Sequence, residues 1–485
     1  MIHHPNSMSS IPPRLVADVH APNLSFPREK RPLGGRNVYG VAAAEDAPPT
    51  RFRWDSNLTI DCPMTLRIVC AVDGRVPYHV RVEDAETGDR VGNIDVLYPS
   101  SGQMFELPLT KSQTRAALNH GLDLSLEKGA PLWIAAPGPN APDAVLPHLF
   151  PDTSPSSPAP FLSLFCSAAS LQPCDWMEVC VLDGLRDWAG LGRNDARDAL
   201  HQHLDTFFDP KRGQREDIRG RPCDDHAGGP ESTGPFAILA LEFPSHPALR
   251  FADEGFALYH HSDLDLIGSD KIVTESCYNI AYPMMAIALQ REDADLRRRA
   301  LRQLDLSRKY LAEPDDLHLR HFFDDGRKAF TNWSRGVAWY LLGWVRTLAL
   351  LPKEERPADL VAEADRVAAW VGRHQQPDGL WPCFLKENEV RPDTSGCAGI
   401  AAAVALGVRE GMIDSDHLSV ARLACDALWN HTTIDGWLRG ASQSNKKETH
   451  HMDIQRDPFR VVAPWGMGMF AQLLAALEPE KGASS

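Results

Sequence analysis

Two textures of apolar and polar positions divide this chain. Up to about residue 150 apolar residues come in short runs with turn signals between them, and beyond about 160 they recur at helical spacing almost to the end. Spacing of three to four residues along one face predicts helices near 178–190, 195–208, 277–290, 295–311, 332–351, 358–374, 394–409, 415–430 and 464–477. Breakers such as Pro352, Gly379 and Gly411 follow several of them. The helices are of two kinds. Leu296 to Leu311 and Ala358 to Val371 are amphipathic and charged, whereas Gly399 to Val408 and Met467 to Leu477 are small or apolar on nearly every side. A helix apolar all round must be buried, and an amphipathic one covers it. The alternation therefore predicts an inner and an outer ring of helices, the layout of an (α/α) barrel built from hairpins. No fixed period supports a superhelical array instead. The long polar connections at 211–234, 251–276, 312–331, 378–395 and 434–463 are the segments expected to build a site.

The earlier region reads differently. Leu66 to Val72, His79 to Asp84, Gln103 to Leu109 and Pro131 to Ala136 are β-type runs, separated by Asp73-Gly74 and Thr87-Gly88-Asp89. Short strands with such breakers predict a β-sandwich-like domain. The expected organisation is an extended N-terminal arm over 1–50, that β domain over 51–150, a Pro- and Ser-rich linker over 151–175, and the helical barrel over 176–480. The fold class is mostly α.

Composition narrows the partners. The 485 residues leave room for two to three domains or for one large toroid with an accessory domain. A formal net charge of −15 argues against nucleic acid, which needs a basic face, but leaves room for a local basic site. No run is long and apolar enough to span a bilayer, so no membrane partner is expected. Met1 to Pro13 shows no basic segment followed by an apolar one, hence no secretory signal. The ten cysteines are scattered and form no C-x-x-C pair. They read as buried free thiols in a reducing cytoplasm, rather than as a disulfide framework or a zinc site.

The candidate chemistry centres on Asn332 to Trp339. Asn332 suits a helix N-cap, and Arg335 and Trp339, four apart, share a helix face. Aromatic rings beside a guanidinium are what an acidic sugar requires: rings stack on the pyranose and the fork pairs with its carboxylate. A core helix with one snorkelling arginine explains the same spacing.

Trp333-Ser334-Arg335-Gly336-Val337-Ala338-Trp339 resembles the W-[SA]-R-G-x-[AG]-W segment of the unsaturated glucuronyl and rhamnogalacturonyl hydrolases, glycoside hydrolase families 88 and 105. Pro392-Asp393-Thr394-Ser395-Gly396-Cys397-Ala398 resembles their P-[ED]-[TS]-S-[GA]-x-A segment. Gln375 to Trp381 resembles their Q-x-x-D-G-L-W turn, and Gly466-Met467-Gly468 their C-terminal helix. The four matches run in family order over about 270–478. The resemblance implies an (α/α)6 barrel and an oligosaccharide partner carrying a uronic acid; no cofactor is expected, and no metal either, because Asp224-Asp225-His226 could ligate one but has no partner cluster at metal spacing. It implies hydration of the C4–C5 double bond of a terminal Δ4,5-unsaturated uronic acid, after which a hemiketal opens and releases the attached sugar. One carboxyl group protonates the alkene and activates water, work suited to a pKa lifted toward neutrality.

One departure stands out. Where the family carries an aspartate, in patterns like I-D-x-M-M-N-x-P, this chain has Thr274 to Met284, with Glu275 as its only acid and Asn279 as the nearest amide. Glu275 either takes the acid role or is a first-turn acid favoured by the helix dipole. Asp224-Asp225-His226-Ala227-Gly228-Gly229 resembles the H-D-x-G-F segment of family 88, which makes Asp225 the second catalytic candidate; a solvated turn accounts for it equally. Expected sugar-binding residues are Trp333, Arg335, Trp339, His321, Thr394, Ser395 and Asn279. Thr394 and Ser395 open a helix whose free N–H groups suit a carboxylate. Trp381, Trp437 and Trp465 are pocket or core. Alternatives to hydration are hydrolysis of saturated glucuronides by opposed carboxylates, an inactive sugar-binding homologue, and an epimerase. The β domain caps the barrel, binds glycan or mediates a homodimer, and the sequence leaves these open.

Overall fold

The computed structural model describes residues 13–479, apart from 56–59, 75, 156, 210, 212, 215–229, 269, 444–455 and 457–458. Its first part is built from antiparallel strands: β1 (Leu15–Val16), β2 (Asp18–His20), β3 (Asn37–Val41), β4 (Thr50–Arg53), β5 (Met64–Val69), β6 (Pro77–Asp84), β7 (Arg90–Leu97), β8 (Met104–Leu109), β9 (Leu122–Leu126), β10 (Leu132–Ala136) and β11 (His148–Pro151). One sheet has the order β1-β11-β5-β8, a second the order β2-β4-β9-β6-β7, and β10 pairs with β3. The alternation of β6 turns Val80 and Val82 inward, while β5 is buried along its whole length. Between β8 and β9, helix α1 (Lys111–His120) is held by a capping box of Thr110 and Gln113.

Two expectations change here. The supposed arm over 1–50 supplies β1, β2 and β3, each paired to a later strand. Its Pro and Gly residues break the alternation that marks a strand, so pairing supplied from far along the chain was invisible locally. Within the supposed linker, α2 (Ala159–Phe165) buries Phe161 and Phe165. Phe161 packs edge-on against Trp429 and Phe470.

The remaining helices are α3 (Trp176–Gly190), α4 (Asn194–Phe207), α5 (Pro235–Glu242), α6 (Arg250–Leu258), α7 (Tyr282–Arg291), α8 (Ala294–Leu311), α9 (Ser334–Ala349), α10 (Ala358–Arg373), α11 (Thr394–Arg409), α12 (Leu418–Trp429) and α13 (Pro464–Leu477). Their packing closes a circuit: α3 lies on α5, α5 on α7, α7 on α9, α9 on α11, α11 on α13, and α13 on α3. Outside it, α4 packs on α3, α8 on α7, α10 on α9 and α12 on α11. Glycines set the inner spacing. A methyl group on Gly343 would collide with the backbone of Cys277 and Tyr278, and one on Gly468 with the backbone of Cys180. Helix α5 is not among the predicted helices, because eight residues that are apolar on every side show no period.

The β part is joined to the helices through buried charge. Arg67 of β5 donates to Asp435 at 2.5 Å and to Glu106 at 2.7 and 2.9 Å, and His148 of β11 lies 3.3 Å from Asp435. Backbone follows suit, with Met104 N–H donating to the Val462 carbonyl at 3.0 Å.

Candidate active site

The N-terminal ends of the inner helices meet. Trp176 at the start of α3 touches Trp339 of α9 edge-on (5.4 Å between centroids) and Trp465 of α13 (5.4 Å). Arg335, in the first turn of α9, reaches Ser395 in the first turn of α11. Close approach is again bought with glycine: a Cβ on Gly396 would strike Ser334 Oγ and crowd the Arg335 backbone.

Arg335 is fully buried. Its Nη1 donates to Ser395 Oγ and to the Ser442 carbonyl, both at 3.0 Å, and lies 3.3 Å from Asp393 Oδ2. Its guanidinium sits over the ring of Trp333 (4.6 Å) and near that of Trp465 (5.7 Å). Its Nε and Nη2 have no partner among the described residues. Asp393, the N-cap of α11, accepts from Ser395 N–H and Oγ and from Ser442 N–H and Oγ. Burial pushes its pKa up, but the Arg335 charge and the hydrogen bonds from Ser395 and Ser442 outweigh burial and hold the carboxyl below its ordinary value. The anion at this helix N-terminus is thus the protein's own Asp393. One edge of the Arg335 fork is buried without a partner among the described residues.

The other expected residues divide. Trp333 is the N-cap of α9, and Asn332 is not: it takes a left-handed φ of 61° and its side chain instead pairs with Leu317 N–H and Asp316. Trp339 is no rim platform, being enclosed at 1% exposure between Trp176 and a stacked Tyr278. Ser395 belongs to the Arg335 cluster. Thr394 faces away from it, with its hydroxyl donating to the Arg439 carbonyl and its N–H to Gly440. Trp381 is core, its indole N–H donating to the Val371 carbonyl. Trp437 lies at the seam near Arg67, and Trp465 joins the cluster.

Glu275 and Asn279, one turn apart, line a cavity of about 90 Å³ together with Pro230, Lys271 and Ser276. They flank the entry to a π-helical turn, Cys277–Ala281, that leads into α7; such turns recur at functional sites. Asn279 is buried at 1% exposure, and neither its side-chain oxygen nor its nitrogen has a partner among the described residues. Thr274 Oγ1, beside Glu275 in sequence, lies 3.5 Å from the Cβ position of Gly336, beside Arg335. A three-stranded sheet supports the cavity: Lys271–Val273 pairs with His318–Phe322, which pairs with Lys328–Thr331, and His321 lies opposite Ile272. Burial, then the charges of Lys328 and His318, push the His321 pKa down, so the ring is neutral at pH 7. Tyr310 lies 5.0 Å from it. Asp225 and the Asp224–Gly229 segment lie outside the described residues, adjoining Pro230.

Sequence reasoning missed Ser442, which holds both Arg335 and Asp393, and Trp176, which lies against Trp339 and Trp465. Asp175, the fully buried N-cap of α3, was also missed, although an aspartate just ahead of an apolar helix was the signal to follow. Among the described residues no group of His, Cys, Asp and Glu is arranged to hold a metal, and no helix is long and apolar enough to cross a membrane.

Comparison with known proteins gives three results. Residues 279–482 match the family model described as Glycosyl Hydrolase Family 88, a match that begins at Asn279. No curated protein matches the chain. Among solved structures it is similar to a possible family 105 member from Salmonella enterica serovar Paratyphi A (18% identity over 63% of this chain and 83% of that one, TM-score 0.53). It is similar to a family 105 glycoside hydrolase of C. acetobutylicum (17%, 63% and 93%, TM-score 0.54) and to an unsaturated glucuronyl hydrolase specific for heparin (11%, 66% and 94%, TM-score 0.50). At these identities the structural likeness speaks to the fold, and the family match speaks to the sequence of the second part. Residues 279–482 thus carry a Glycosyl Hydrolase Family 88 domain, in agreement with the order of the motifs, and the solved structures of families 88 and 105 share its fold.

Proposed function

We propose that the circuit of helices is an (α/α)6 barrel over 176–480, covered by a β-sandwich-like domain, and that it removes a terminal Δ4,5-unsaturated uronyl residue from an acidic oligosaccharide. The observation that carries this reading is the unpartnered edge of Arg335. Two N–H donors, Nε and Nη2, remain without a partner among the described residues in a buried, aromatic-walled site. A planar carboxylate satisfies both at once. Asp393 already balances the arginine's charge, so the attraction is for a group that accepts two parallel hydrogen bonds rather than for any anion. The likeness to an unsaturated glucuronyl hydrolase supports the substrate class.

With the carboxylate on Arg335 and Trp333 beside it, the cavity at Glu275 and Asn279 would hold the C4–C5 bond. Glu275 delivers a proton to C4 and takes one from a water whose oxygen adds at C5. The hemiketal then opens and the adjoining sugar leaves. Asn279, with both amide atoms unsatisfied, supplies hydrogen bonds to a sugar hydroxyl beside Glu275. Asp225 is the second acid, His321 is a neutral contact on the supporting sheet, Trp339 backs the aromatic wall, and Ser395, rather than Thr394, carries the α11 side of the site. The buried free thiols fit a reducing compartment, and we assign the enzyme to the cytoplasm.

Glutamate in the acid's position favours a second reading, hydrolysis of saturated glucuronides with Asp225 and Glu275 opposed. Incubation with lyase-generated unsaturated oligosaccharides separates the two. Hydration bleaches the alkene's ultraviolet absorbance, and Glu275→Gln abolishes the bleaching while ligand still binds. Persistent absorbance together with cleavage of a saturated aryl glucuronide would sink the first reading.

A further inference from the structure

A second polar cavity opens where the β part meets the start of α11. It has a volume of about 440 Å³, within the range of small-ligand sites, and is lined by Glu106, Arg391, Thr394, His431, Arg439 and Arg460. Three guanidinium groups meet two carboxylates, Glu106 in the lining and Asp152 behind Arg439, which leaves the crevice cationic in a chain whose net charge is −15. Two of the three are fixed in place. Arg439 lies 2.8 Å from Glu106 and 2.6 Å from Asp152, and sits over the Phe150 ring. Arg460 donates to the carbonyls of Pro392, Phe459 and Arg391 at 2.7 to 2.8 Å. The third, Arg391, is exposed, and no partner for its side chain is found among the described residues. Burial lowers the His431 pKa, so that ring adds no charge at neutral pH.

This crevice shares a wall with the active site. Thr394 lines it, and the next residue, Ser395, holds Arg335. Because Thr394 donates to the Arg439 carbonyl, the first turn of α11 carries one site on each side. A cationic crevice of one or two sugars' volume beside the catalytic pocket suits a polyanionic chain, since a partly enclosed cation raises the local concentration of anions. Building on the proposed function, we propose that this crevice binds the carboxylate or sulfate of a second acidic sugar in the substrate chain. Specificity then depends on the β part, because Glu106 of β8 fixes Arg439 in place.

The experiment compares wild type with Arg391→Ala, a change at an exposed side chain that leaves folding undisturbed. Three substrates share a terminal unsaturated uronyl residue: one on a neutral aglycone, one on a non-sulfated uronic-acid chain, and one on a sulfated chain. KM should rise about fivefold for one or both acidic chains, the size of one exposed charge contact, with kcat unchanged and the neutral substrate unaffected. A rise with the sulfated chain alone names sulfate as the anion, and a rise with both names the carboxylate. Equal effects on all three substrates, or none on any, overturn the crevice. If no unsaturated uronide is turned over at all, the proposed function fails instead. Calorimetric titration of a saturated acidic tetrasaccharide then decides the crevice alone: binding weakened by Arg391→Ala supports it, and undiminished binding overturns it.

Discussion

At the scale of single residues, Arg335 and Asp393 decide what the site can hold. Both are fully buried and lie 3.3 Å apart, so neither can be removed without stranding the other. Truncating one partner of such a pair costs about 3–5 kcal/mol, which would obscure any binding effect. Arg335→Lys is the sharper change. It keeps the charge beside Asp393 and loses the planar fork. We expect uronide affinity to fall by about 1–3 kcal/mol, the net worth of charge-assisted hydrogen bonds, with neutral sugars unaffected. Calorimetry measures both ligands, and equal losses would remove Arg335 from carboxylate recognition. The sequence named Arg335, Ser395 and Glu275 as candidates, but it did not show that Asp393 occupies the anion position at the α11 N-terminus. That depends on Ser442 arriving from 49 residues away, a pairing with no local signature.

At the scale of elements, helix boundaries were largely legible. The expected 394–409 and 464–477 coincide with α11 and α13, and 358–374 differs from α10 by one residue. Long periodic segments carry their own signal. The short ones did not: α2 and α5, seven and eight residues long, are apolar on most sides and announce no face. Glycine decides how closely the elements pack. Gly343 of α9 lies against the peptide joining Cys277 and Tyr278 in the π-helical turn. Gly343→Ala should therefore separate α9 from that turn and destabilise the protein by about 1–3 kcal/mol, although alanine is the better helix former. Urea denaturation measures this. A neutral or stabilising result would mean that the turn yields without cost.

At the scale of the whole molecule, the seam between strands and helices is a buried charge network of Arg67, Asp435, His148 and Glu106. It makes stability depend on pH in two stages. Burial pushes the His148 pKa down, against the opposing pull of the Asp435 carboxylate as acceptor. The unfolded histidine takes a proton near pH 6.5 while the folded one does not, so stability falls as pH drops below about 6.5. For Asp435, burial alone raises the pKa, but Arg67 and the His148 and Thr433 hydrogen bonds overcome it and hold the carboxyl far below its ordinary value. Its contribution is present above about pH 3.9 and lost as pH falls through the folded pKa. Denaturant melts at pH 7.5, 6 and 5 should show the first stage, and His148→Gln should flatten it. An unchanged slope in that variant would assign the loss to other groups. Because the network crosses the seam, thermal unfolding is expected as one transition for both parts. Two separated transitions would show the β part to be an independent module.

The linear chain already carried the class of the molecule. Helical period, small-residue helices against charged ones, and four motifs in family order depend only on neighbours in sequence, and they pointed to a helical glycoside hydrolase with a β-rich first part. What folding alone decided was partnership across distance. Leu15 pairs with Leu149, Arg67 with Asp435, and Arg335 with Asp393, so that an apparent arm became sheet and an apparent substrate-binding N-terminus was filled by an internal carboxylate. Burial is what makes such choices binding, because a charge or a backbone N–H taken out of water must find its partner wherever the chain happens to bring one.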